Sequence, residues 1–130
     1  MKNNTKKSEE SQSIYIFSND TLTQKVTLEY LSDNKIRFVF ISKNNIRELT
    51  DSVKGIAASK SSVDPEIDED EEGNAYPTQE YILAGKYWLS IRIDMESKDK
   101  LRVIIGDNYP MKDKKFCPLN SIGILHRIKK

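Results

Sequence analysis

Alternation with a period of two is the feature that most constrains this chain. From Tyr87 onward, Tyr87, Leu89, Ile91 and Ile93 fall on one side, while Trp88, Ser90, Arg92 and Asp94 fall on the other. A strand turns successive side chains to opposite faces, so this is the signature of a half-buried β-strand. The pattern recurs. Ile14 and Ile16 flank Tyr15, and Val26, Leu28 and Tyr30 alternate with Lys25, Thr27 and Glu29. Ile36, Phe38 and Phe40 alternate with Arg37, Val39 and Ile41, which makes this strand apolar on much of both faces and predicts a central position. Leu101, Val103 and Ile105 share a face, and a last strand over Ser121 to Ile128 would put Ile122, Ile124 and Ile128 beside His126.

The punctuation between these runs reads as turns. Ser32-Asp33-Asn34-Lys35 predicts a tight hairpin, because Asp and Asn tolerate the left-handed backbone such turns use. Lys43 to Asp51 reads as a connection with a helical turn over Asn45 to Leu49, and Ser52 to Ser59 as a short strand that Gly55 should bulge or bend. Ala84-Gly85 joins strands over Thr78 to Leu83 and Lys86 to Asp94, and Met95 to Asp99 is a polar turn. A loop carrying Pro110 and Pro118 precedes the last strand. The sum is an all-β domain: one antiparallel meander of seven to eight strands closed into a small β-barrel, with a β-sandwich as the alternative.

The 130 residues are enough for one domain, read as residues 14–130 behind a flexible N-terminal tether over residues 1–13, which has no aliphatic residue after Met1. No window reaches the ~18 uninterrupted apolar residues of a membrane helix. The lone Cys117 excludes an internal disulfide and does not by itself build a zinc site.

The formal net charge of +1 conceals a separation. Seven of the nine residues from Asp64 to Glu72 are acidic (Asp64, Glu66, Asp68, Glu69, Asp70, Glu71 and Glu72), which leaves the other 121 residues at +8. The excess lysines read as solvent-facing protection of strands rather than a nucleic-acid surface. The stretch from Lys60 to Asn74, with Pro65 and Gly73, reads as an exposed acidic loop. Clustered carboxylates hasten encounter with a basic protein. Asp64, Glu66, Asp68, Glu69, Asp70, Glu71 and Glu72 are therefore the candidate partner-binding residues, with Tyr76 as an aromatic anchor. A calcium loop is the competing reading, since Asp64, Glu66 and Asp68 alternate, but Glu69 stands where that motif requires glycine.

Catalytic signatures are missing. There is no G-x-S-x-G, H-E-x-x-H, C-x-x-C or glycine-rich phosphate loop. A Cys117/His126 nucleophile pair is conceivable, but a lone cysteine is more often a small buried hydrophobe. No enzyme, metal or cofactor is expected.

The opening Met1-Lys2-Asn3-Asn4-Thr5-Lys6-Lys7-Ser8-Glu9-Glu10 resembles the polar tether of a mature bacterial lipoprotein, Met1 standing where the lipidated cysteine would be. Ile36-Arg37-Phe38-Val39-Phe40, Val53-Lys54-Gly55-Ile56-Ala57 and Trp88-Leu89-Ser90-Ile91-Arg92-Ile93 resemble strands of small periplasmic lipoproteins of the lysozyme-inhibitor-like type, over about half the chain. Those proteins are single antiparallel barrels that commonly carry disulfides, a point on which this chain departs. The resemblance implies a periplasmic or outer-membrane lipoprotein, held to the membrane only by its lipid. The expected function is that of a monomeric cell-envelope binding protein, inhibitor or immunity-type factor docking on a basic partner such as a lysozyme-like or other cell-wall hydrolase, with no nucleic-acid role. A small-ligand or calcium-binding barrel is the alternative.

Overall fold

A computed structural model describes residues 12–59 and 65–128, and among them there are nine strands and no helix. The strands are β1 (Gln12–Ser18), β2 (Leu22–Ser32), β3 (Lys35–Asn44), β4 (Leu49–Ser59), β5 (Glu66–Glu69), β6 (Ala75–Leu83), β7 (Leu89–Asp94), β8 (Lys100–Ile105) and β9 (Leu125–Arg127). Every pairing is antiparallel. β9 returns to β1, and the end of β4 pairs with the end of β6. Eight strands thus close into a barrel and β5 is added outside the circuit, on β6. The two closing pairings decide for the barrel over the sandwich.

The inward row of each strand fills the lumen. Tyr15, Phe38, Phe40, Tyr81, Ile91 and Leu101 are all essentially inaccessible to solvent. An eight-stranded barrel is only just wide enough for its own side chains, so large aromatics occupy the space a ligand would need. The outer face of β3 behaves differently from the expectation of a strand covered on both sides: Val39 and Ile41 are each 37% exposed. In a closed barrel every strand has two neighbours, and where nothing covers it from outside, as on β3, only the inner face is buried.

Local corrections have local causes. The Asp33-Asn34 turn does pair Ser32 with Lys35, but neither residue takes positive φ; the register instead shifts between Tyr30 and Ser32, so a bulge supplies the twist. β3 and β4 are longer than expected, and the connection is only residues 45–48, because the Asn44 carboxamide oxygen accepts the N–H groups of Ile46 and Arg47 and closes a tight turn without a helix. Gly55 does not mark a bulge: Phe38 pairs with it in an unbroken register. A Cβ there would come within 2.7 Å of the Leu83 Cδ1, so the glycine makes room for that side chain. Gln12 and Ser13, assigned to the tether, pair with Glu29 and Leu28 in β1, whereas the rest of the tether lies outside the described residues. β9 is only Leu125–Arg127, not Ser121 to Ile128, and His126 points outward away from the buried Ile124 and Leu125.

The chain between β8 and β9 plugs one end of the barrel and fills the seam that so short a β9 leaves. Ser121 donates its N–H to the Val103 carbonyl at 2.9 Å, extending the ladder beyond the last paired residues. Buried Gln24 holds this loop from the β2 side. Its amide nitrogen donates to the Asn120 carbonyl at 2.9 Å and to the Ser42 hydroxyl at 3.3 Å, and its oxygen accepts the Ile122 N–H at 3.1 Å. Asn44 donates to the Phe116 carbonyl, and Asp51 accepts the Lys112 N–H, each at 2.8 Å. Cys117 is wholly buried, its thiol donating to the Ser42 carbonyl.

Replacing Gln24 by Ala removes a partner from two loop groups at once, and each buried unsatisfied group costs about 1–3 kcal/mol. Gln24→Ala should therefore lower the unfolding free energy by about 3 kcal/mol, read as a shifted urea midpoint with unchanged slope. A loss no larger than that of an exposed Thr→Ala control would contradict the anchoring role.

Candidate functional site

The acidic stretch is largely a folded element. Alternation in β5 sends Glu66 and Asp68 to one face and Ile67 and Glu69 to the other, and the β5–β6 hairpin leans across the outside of β7, β8 and β9. Within the expected exposed loop over Lys60 to Asn74, the described residues form a strand at Glu66–Glu69 followed by an ordered turn, most of them exposed as expected. The turn is built by Asp70, whose carboxylate accepts the N–H groups of Glu72 and Asn74, both at 2.9 Å. The Asn74 and Glu72 amides hold the Asp70 carboxyl below its ordinary value.

What pins the hairpin is a row of charges on the outer barrel face. Arg92 on β7 reaches Asp68 at 2.8 Å, Glu80 at 3.5 Å and Glu66 at 3.6 Å. Ser90 donates to Glu80 at 2.7 Å. Asp68 is only 6% exposed, and its second carboxylate oxygen has no hydrogen-bond partner, nor has the Arg92 Nε. Further along, Lys100 pairs with Asp94 at 3.1 Å and lies 4.7 Å from the centre of the Tyr76 ring. At the tip, Glu71 meets His126 of β9 at 2.7 Å. Burial, reinforced by the nearby Asp68 carboxylate, pushes the Tyr76 phenol up to about 12, so it stays protonated.

Asp94 organises the β7–β8 turn. Its carboxylate accepts the N–H groups of Glu96 and Ser97, the Ser97 hydroxyl and the Lys100 ammonium. Burial alone would raise its pKa, but these donors outweigh that and hold the carboxyl below the ordinary 3.8. The same turn carries Lys98 at φ 61°, whose carbonyl accepts the Tyr15 hydroxyl at 2.7 Å from the barrel end.

The candidate partner-binding residues therefore separate. Asp68 and Tyr76 are buried and do not face a partner, which corrects their expected role as exposed contacts. Asp70 shapes the turn. Glu69 and Glu72 are exposed, and Glu66 and Glu71 keep more than half of their side-chain surface despite their ion pairs. Asp64 lies outside the described residues. The structure adds residues that the reading of the acidic run left out: Arg92, Lys100, Glu80, Asp94, His126 and the exposed Ile67. The alternation in β7 already turned Arg92 and Asp94 outward together with Ser90. What they would face depends on a hairpin folding over them, which no local pattern encodes.

Glu66 and Asp68 converge on a guanidinium rather than on an empty centre, and among the described residues no group of three His, Cys, Asp or Glu side chains is placed to hold a metal ion. Cys117 and His126 bond to different groups, the Ser42 carbonyl and the Glu71 carboxylate, and not to each other. Comparison with protein-family models, with curated proteins and with solved structures finds no match.

Two outcomes test the network. Arg92→Ala strands the buried Asp68 carboxylate and should cost about 3–5 kcal/mol, whereas Arg92→Met combined with Asp68→Leu should recover most of that loss, because an apolar pair of similar bulk needs no compensating charge. Urea unfolding of the two variants separates a charge network from mere packing. For Asp94 the folded pKa is lowered, so its contribution is fully present above pH 3.8 and is lost as pH falls through the folded value. The Asp94→Asn variant should be less stable than the parent at pH 7, with the gap narrowing below about pH 4 in thermal scans across pH.

Proposed function

We propose that this barrel is a protein-binding module, a cell-envelope inhibitor or immunity-type factor that docks its acidic hairpin on a basic partner such as a cell-wall hydrolase. The observation that carries this reading is the pinned hairpin: Glu69, Glu71, Glu72 and the outer part of Glu66 are displayed on a backbone tied down by Arg92 and His126. An ordered, like-charged rim meets a cationic cleft without first losing loop entropy, and it steers encounter over the range of a Debye length. The filled lumen supports the same reading, since a barrel that encloses its ligand needs the volume that Tyr15, Phe38 and Tyr81 take up. Placement in the envelope rests on the lipoprotein resemblance of the N-terminal segment.

A small ligand would find room in a groove of about 370 Å³ beside β8, lined in part by Arg102, Ile105, Met111, Lys114, Asn120 and Ser121. That volume is at the low end for a ligand site.

With lysozyme as the basic probe, Glu69→Gln, Glu71→Gln and Glu72→Gln together should slow association about tenfold at low ionic strength, and salt should abolish the difference, because the exposed charges act through the long-range field. Thermal stability should barely move, as these side chains lie at the surface. Equal association rates for parent and variant would overturn the reading. A melting temperature that rises with calcium and falls with chelator would favour the ion-binding alternative instead.

A further inference from the structure

β5 is the one strand among the described residues that has a neighbour on a single side. It runs parallel to β4 along the same edge of β6: β4 pairs through Ala57–Ser59 with residues 81–83, and β5 with residues 75–78. β4 is flanked by β3 on its other side, but β3 begins at Lys35 opposite Ala58 and does not reach β5.

The direction of the free backbone groups follows from Pro77. In an antiparallel pair, residues alternate between exchanging both hydrogen bonds and exchanging none, and one residue's N–H and C=O point to the same side. Pro77 has no N–H, and its carbonyl accepts the Met95 N–H at 3.0 Å, on the β7 side. Ile67, which stands opposite Pro77, is therefore in the pair that exchanges no bond. The Asp70 N–H to Asn74 carbonyl bond at 2.9 Å sets the same phase, with Glu66, Asp68 and Asp70 turned toward β6. The N–H and C=O of Ile67 and Glu69 consequently point away from β6, where no described residue pairs with them. Beside them stands an apolar side chain, Ile67, 60% exposed, with Glu69 on the same face and the exposed Glu71 and Glu72 in the turn that follows.

We propose that this edge receives an extended, lysine- or arginine-rich segment of the partner as an added strand, hydrogen-bonded to Ile67 and Glu69 and flanked by the hairpin carboxylates. The proposal rests on the docking reading above and names its recognition mode. Charge selects the occupant: an acidic edge repels a second copy of itself, which blunts self-association, and it attracts a basic strand.

The probe is a short acetylated and amidated peptide alternating Lys with Val, compared with the same peptide N-methylated at every second amide, which keeps the charge and removes the edge hydrogen bonds. The unmethylated peptide should bind at least about tenfold more tightly, since one such bond is worth about that factor. It should slow hydrogen exchange at the Ile67 and Glu69 amides and leave Asp68, turned toward β6, unchanged. Ile67→Pro removes one outward donor without touching the bonds to β6, and it should weaken the unmethylated peptide alone. Equal binding of the two peptides would leave charge-driven docking standing and overturn strand addition. Absence of binding by both would also overturn it, while the lysozyme association rates judge docking separately.

Discussion

The barrel closes through its weakest joint. β9 is three residues long and links β8 to β1 through only two residue pairs on each side. A seam so short leaves the side of β8 that faces away from β7 without a strand neighbour beyond Leu101, and backbone groups buried there need partners. The plug between β8 and β9 supplies them, held by the side-chain amide of Gln24. Ser121 meets the Val103 backbone in place of a ladder partner, and one polar residue at an inward position of β2, buried without any exposure, holds that loop by its Asn120 carbonyl and Ile122 N–H. Everything that depends on a closed circuit follows from it: the filled lumen, the fixed outer face of β7 and β8, and the platform on which the hairpin rests.

On that platform the energetics are those of buried charge. Arg92 and Asp68 lose hydration when the hairpin covers them, and attraction between them offsets a desolvation cost of several kcal/mol per ion only with good geometry. The unpartnered Asp68 oxygen and Arg92 Nε indicate that the offset is incomplete. What such an arrangement secures is position. A guanidinium among three carboxylates fixes where the hairpin lies, as a patch of leucines of similar area would not, because apolar contact is indifferent to small sliding. The Glu71–His126 pair is more exposed and contributes little energy, but it ties the tip to β9.

The fold was legible where one residue's neighbours in sequence decide its environment. Leu89, Ile91 and Ile93 had to face a core, and Leu101 and Val103 with them, because nothing but a strand places them together. Barrel closure is hinted at only by the single dominant apolar face of most strands, a pattern that a sandwich shares. The plug was not legible: Gln24 and Asn44 interrupt apolar faces and look like defects until loop carbonyls arrive from more than seventy residues away. The acidic run was legible as charge and not as structure. Seven carboxylates in nine residues argue against burial, and composition alone does not reveal that Arg92, twenty-four residues on, neutralises Asp68 and lets the segment fold as β5. Whether Tyr76 is exposed depends on the same hairpin, beneath which it is buried against Lys100.

A closed barrel has no edges to offer, which protects it from pairing with its own copies and also removes the commonest backbone means of recognising another chain. The hairpin restores a single edge outside the circuit, where occupation need not disturb the core. Its strand is four residues long and rich in Glu and Asp, so it is a poor template for indiscriminate pairing. The same carboxylates that deter an acidic or neutral strand lower the free energy of a basic one. Discrimination of this kind requires that the edge stay in place while unoccupied, and this is what the network beneath it provides. Arg92 is engaged by Asp68 and Glu66 of the hairpin and by Glu80, while Glu69 and Glu72 stay exposed and have no ion pair among the described residues. The internal cation holds the hairpin in place, and in the docking proposed above the exposed carboxylates would select what binds.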